Sequence, residues 1–233
     1  FAQTINAEFS EVRASSTAGG GTALTSTAVL IPVTLGANWI GLTPRNFAGA
    51  AVVRFALNPY LYVLRTQDAL LTAPTDNSHE LQDGDTTDVL YNAQSTAANN
   101  DFIYIGAHLP FRGARHTQGS DPNNTASVLT VNYCIGGAWV DITATDGTDS
   151  AGASHGQTGN VTWTVPAAWT KASLRNIGDT LLTSGSWAIS PLYWTRWEFS
   201  ATTEATWSVA ATQSLNRSTA YAELLSGQNY EQA

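Results

Sequence analysis

The 233 residues carry ten Lys and Arg against eighteen Asp and Glu, a net charge of −8, and charged residues make up only 12% of the chain. That is about half the usual share, while 43% apolar residues are enough for a core. The acidic balance excludes duplex nucleic acid as a partner, because phosphate binding needs clustered Lys and Arg. No apolar run approaches the roughly 18 residues of a membrane span, and no signal-peptide pattern is visible. The chain begins at Phe1 and has no methionine, so an initiator is expected to have been removed, or the chain processed or left incomplete.

Residues 1–27 read as an N-terminal arm. Phe1, Ile5, Phe9 and Val12 carry its apolar side chains ahead of the Gly/Ser/Thr-rich stretch 15–22, a flexible linker by composition. Residues 28–97 read as a β-rich part. Its strands are an apolar run at 28–33 broken by Pro32, and a hairpin of 50–57 with 60–65 about Asn58-Pro59. Val89-Leu90-Tyr91 adds a further strand, and Ala97 to Asn100 marks an internal boundary.

Residues 98–214 read as a β-sandwich domain. Its expected strands are 101–106, 127–133, 139–143, 161–165, 192–199 and 207–211. Leu129, Val131 and Tyr133 share one face, as do Val161, Trp163 and Val165. Gly136-Gly137 sits where a tight hairpin needs positive φ. In 215–233, Ser218 to Ser226 reads as a short C-terminal helix capped by Ser218 and ended by Gly227. About ten to twelve short strands joined by Gly, Asn, Asp and Pro turns predict an all-β, jelly-roll-like sandwich.

Chemistry is hard to place on this pattern. There is no Gly-x-Ser-x-Gly elbow. His79, His108, His116 and His155 are tied to no particular Ser and Asp, and read as surface or hydrogen-bonded residues. The acidic loops 83–88 and 146–149 offer oxygens but lack the twelve-residue calcium pattern, and read as Asx turns. No Cys/His cluster has zinc spacing, and Cys134, alone, reads as a buried structural residue. Arg196 and Glu198, two apart on a strand, read as members of a cross-strand or same-face ion pair rather than catalytic groups. Among the eight tryptophans, Trp139, Trp163, Trp194, Trp197 and Trp207 read as core. Trp39, Trp169 and Trp187 lie nearer turns and read as exposed candidates for contacts. These observations predict a protein that is not an enzyme, with no cofactor and no bound metal.

The stretch from Asp101 to about Phe199 resembles a domain of tailed-phage and prophage structural proteins. The resemblance rests on Phe102-Ile103-Tyr104-Ile105-Gly106, Leu109-Pro110-Phe111-Arg112-Gly113, residues 127–133, Gly137-Ala138-Trp139-Val140, residues 145–148, 159–166 with Trp169, and Leu192 to Arg196. The flanks 42–47 and 215–221 look similar. The chain departs from the pattern at Cys134, where an aromatic would follow Tyr133, and in a longer insert around Ser150 to His155.

The resemblance implies a virion component with no catalytic residues. The expected role is capsid decoration, or cement, on the outer face of the head. The major capsid protein would be the partner, and a homo-oligomer, a trimer foremost, the expected state. A tail- or fibre-associated module contacting tail proteins or host glycans is the alternative. The residues expected at the assembly interface are Phe1, Ile5, Phe9, Val12, Arg45, Phe47, Arg112, Arg217, Tyr221 and Leu224.

Overall fold

A computed structural model describes residues 40–42, 53–55, 60–83, 89–177, 191–215, 222–224 and 230–232. The chain divides into two compact units, one of residues 1–57 with 218–233, the other of residues 58–217. In the first unit, β1 (Ile40–Leu42) pairs antiparallel with β15 (Tyr230–Gln232), and β2 (Val53–Phe55) with β14 (Ala222–Leu224).

These pairings revise two expectations. The expected C-terminal helix is replaced over its centre by β14, in register with Phe55, Arg54 and Val53. A helix of barely two turns is marginal by itself, whereas a strand gains a partner's backbone. β2 pairs with β14 and not with the strand at Tyr62, so the expected hairpin about Pro59 does not form.

The second unit contains β3 (Tyr62–Thr66), β4 (Thr75–Asp76), β5 (Val89–Asn92), β6 (Phe102–Ala107), β7 (Gly113–Gln118), β8 (Leu129–Ile135), β9 (Ala138–Asp141), β10 (Thr145–Asp146), β11 (Gly159–Thr162), β12 (Tyr193–Phe199) and β13 (Thr206–Ser214). A 3-10 turn, Ala97–Asn99, and one helical turn, α1 (Leu174–Ile177), interrupt them. Two antiparallel sheets result, in the orders β4-β3-β6-β12-β8-β9 and β10-β11-β7-β13-β5. This is an all-β, sandwich-like fold.

The core lies between the sheets. Val63, Ile103, Ile105, Val131, Trp197 and Phe199 come from the six-stranded sheet, and Val89, Tyr91, Ala114, Val161, Trp207 and Val209 from the five-stranded one. β6 is buried on both faces. Its Ile103, Ile105 and Ala107 enter this core, while Phe102 and Tyr104 join a second cluster with Leu64, Leu70, Leu174, Leu192 and Trp194. That double burial is why β6 reads as an unbroken apolar run instead of an alternation.

On β12, Trp197 and Phe199 face the main core, and Trp194, Arg196 and Glu198 the other side. The Arg196 Nε donates to Glu198 Oε1 at 2.7 Å, and the guanidinium lies 4.5 Å from the Phe102 ring centroid and 5.1 Å from that of Trp139. The expected ion pair is therefore present in its same-face form, reinforced by cation–π contact.

Candidate functional site

β7 alternates, with Ala114 and His116 turned inward and Arg115 exposed. His116 lies between Gly159 of β11 and Thr212 of β13 in the sheet register. A bulge between Val209 and Ala211 shifts the phase of β13 by one residue. Trp207 and Val209 face inward before it, and Thr212 after it. The Thr212 hydroxyl then meets His116 Nδ1 at 3.1 Å.

The second histidine arrives on the loop between β10 and β11. His155 adopts φ of 60°, a left-handed conformation uncommon outside glycine. Its backbone is pinned on both sides. Its N–H donates to Thr148 Oγ1 at 3.0 Å and its carbonyl accepts from the Asn123 N–H at 3.1 Å. Thr148 is held in turn by an Asx turn, its N–H donating to Asp146 Oδ1 at 2.8 Å. The expected Asx-turn reading of this loop therefore holds.

The loop thrusts the His155 ring into the core. Its centroid is 4.8 Å from that of His116, 4.9 Å from Trp207 and 5.8 Å from Phe199. His116 also packs edge-on against Trp197 at 5.1 Å. Both histidines are buried, at 4% and 1% exposure. His116 Nε2, His155 Nδ1, Trp207 Nε1 and Asp146 Oδ2 are buried without a hydrogen-bond partner.

Burial pushes His116 well below the ordinary histidine range. The neighbouring His155 adds to the fall and Asp146 opposes it. Burial alone lowers His155 to about 3. Both rings are thus neutral at neutral pH. Both rings are sealed from solvent. Among the described residues, no group of three His, Cys, Asp or Glu is placed to hold a metal.

The expectation that the histidines lie at the surface or are hydrogen-bonded holds for His116, which meets Thr212, and fails for His155. His79 and His108 are exposed, but His155 is buried with one nitrogen unmatched, and His116 uses a single nitrogen. The sequence concealed them because β7 reads Gly-Ala-Arg-His-Thr-Gln, too polar to mark as a strand. A second correction concerns Trp169. It is 6% exposed and its indole N–H donates to the Trp194 carbonyl at 3.2 Å. It packs on Phe111, Tyr133 and Tyr193, so it is a core residue and no exposed platform. Trp163, Trp194, Trp197 and Trp207 are buried as expected, and Trp139 is half-buried. Trp39 and Trp187 lie outside the described residues. Cys134 is free and fully buried, as expected.

Of the residues expected at an assembly interface, Leu224 and Arg112 are among the described residues. Phe1, Ile5, Phe9, Val12, Arg45, Phe47, Arg217 and Tyr221 lie outside the described residues. Leu224 ends β14, paired with Val53. Arg112 is half-buried between β6 and β7. Its N–H donates to the Leu215 carbonyl at 3.3 Å and its carbonyl accepts from Trp163 N–H at 2.9 Å. The described large apolar residues that are exposed, Leu71, Leu109, Val128 and Val140, belong to separate segments. No helix among the described residues is long and apolar enough to cross a membrane.

Fold and cluster together define an all-β sandwich protein with a closed, neutral histidine pair. No family model matches the chain, and neither a curated protein nor a solved structure matches it.

Proposed function

We propose that the chain is a non-enzymatic structural subunit of a tailed-phage particle, a decoration protein bound to the outer face of the head shell. The observation that carries this reading is the surface chemistry. Charged residues are only 12% of the chain, whereas a protein that works as a free monomer leans on charge for solubility. A weakly charged, Thr/Ser/Asn-rich exterior suits a subunit whose surface is covered by neighbours. The resemblance of residues 101–199 to phage structural domains supplies the kind of assembly. A jelly-roll-like wrapping of the strands, an N-terminal arm reaching onto an adjacent subunit and trimers at local three-fold positions belong to the same proposal.

The test is co-sedimentation of the purified chain with empty, tail-less heads of the phage or prophage that encodes it, with isolated tails in parallel. Saturable binding to heads at a fixed ratio to the major shell protein is expected. Binding to tails alone would move the assignment to a tail or fibre module, and binding to neither would overturn the virion reading.

A further inference from the structure

We propose that His116 and His155 form an acid-operated lock, in which protonation of the pair releases the β10–β11 loop and opens that end of the sandwich. The inference does not depend on which assembly the protein joins.

Two buried imidazoles with ring centroids 4.8 Å apart tolerate one another only while neutral. A proton on either ring needs a counter-charge or an acceptor, and the surroundings offer little of either. β12 presents Trp197 and Phe199, because its Arg196 and Glu198 pair on the opposite face. β13 presents Trp207 and the neutral Thr212 hydroxyl. β11 places Gly159 opposite His116. On β7, Arg115 is exposed and bonded to Asn160. In the adjoining loops, Asp121 and Glu204 are occupied with Thr206 and Asn124, and exposed Asp149 with the Gly152 N–H. Asp146 is the described carboxylate that acts on His116. Its Oδ1 is already engaged by Thr148, which leaves Oδ2 to act on His116, whereas His155 is shifted by burial alone. A proton on His116 can be partly offset there, but one on His155 cannot.

The loop also holds its histidine in a strained conformation. His155 sits in a left-handed conformation that costs about 1 kcal/mol or more to hold. Its own backbone is held by the Thr148 hydroxyl and the Asn123 N–H, and its neighbours Gly152 and Ser154 by Ser127. The same loop is the insert by which this chain departs from the phage-like pattern.

The sign follows from the depressed histidines. Unfolded or released imidazoles take up protons near pH 6.5, whereas the sealed ones resist until far lower pH. Stability is therefore complete above about pH 6.5 and declines as pH falls from there toward about 3. Each histidine contributes up to roughly tenfold per pH unit to the folding equilibrium constant, and the pair up to roughly a hundredfold.

Urea unfolding of the full chain at a series of pH values from 7.5 to 4.5 (chosen to lie above the main titration of carboxylates) reads that slope. A fall approaching a hundredfold per unit is expected for the native chain, reduced to about tenfold in His155→Phe, whose ring keeps the aromatic packing. Equal slopes in the two proteins would overturn the lock. Should His155→Phe not fold, the imidazole Cε1–H resonances of the native chain decide. Two that keep neutral shifts until the native signals vanish support it. A continuous protonation shift of both rings within the folded species overturns it.

Discussion

Asn123 uses its whole side chain to join three segments. Its Nδ2 donates to the Ser154 carbonyl at 2.8 Å and the Thr125 carbonyl at 3.1 Å, while Oδ1 accepts from the N–H groups of Glu204 at 3.0 Å and Thr125 at 3.2 Å. The residue is 1% exposed, so truncation strands several buried partners at once. Asn123→Ala is expected to cost about 3 kcal/mol in urea unfolding, at the upper end for a lost buried network. Gly106 makes the opposite demand. A Cβ there would lie 2.3 Å from the Trp194 ring, and that ring is fully buried, with little room to retreat. Gly106→Ala is expected to lose about 1–3 kcal/mol by overpacking, whereas the same change at a surface glycine of ordinary φ would be nearly neutral. Cys134 offers a reporter that leaves the fold intact. Burial removes it from solvent and raises its thiol above the ordinary range. Its reaction with a disulfide reagent at pH 8 is expected to follow global unfolding, accelerating in urea in step with the loss of native fluorescence. Fast reaction without denaturant would contradict its burial.

Strands were legible in the sequence where side-chain chemistry and backbone demand agreed. β8 and β9 are an instance. Leu129, Val131 and Tyr133 pack on the core side as their alternation predicts, and Gly136 and Gly137 turn with φ of 57° and 87°, the positive pair of a type I′ hairpin. A Cβ at either glycine would meet nothing within 4 Å, so backbone strain alone decides what the turn accepts. Gly136→Asn is expected to shift the urea midpoint little, since Asn tolerates this conformation. Gly137→Val is expected to cost about 1–2 kcal/mol. β7 and the C-terminal strand were not legible, for different reasons. β7 buries a histidine and an alanine, residues that carry no strand signature, and its identity is fixed by pairing with β11 and β13 on both sides. The sequence around β14 has Tyr221, Leu224 and Leu225 at a helical spacing, but the strand's partner β2 lies about 170 residues away, and no local pattern reports such a pairing. The histidine cluster was illegible for a related reason. Its parts come from β7, the β10–β11 loop, β12 and β13, and only the bulge in β13 turns Thr212 toward them.

On the scale of the whole molecule, the chain's ends belong to one compact unit and an uninterrupted segment, residues 58–217, forms the other. That segment carries both large sheets, the interlocked aromatic core and the histidine pair. It is the size of an ordinary domain, and both of its sheets are built entirely from its own strands. β13, the last strand before its end, is flanked on both sides by β7 and β5. The Leu215 N–H and carbonyl are further tied to Gly113 and Arg112. Its folding information is therefore contained within its own limits. A fragment of residues 58–217 is expected to unfold in one cooperative transition, with the blue-shifted fluorescence of buried tryptophans and the same decline of stability in mild acid as the full chain. Retention of the pH slope would locate the titrating groups within this unit. Loss of cooperativity would show instead that the unit formed by residues 1–57 and 218–233 is required to complete the sandwich.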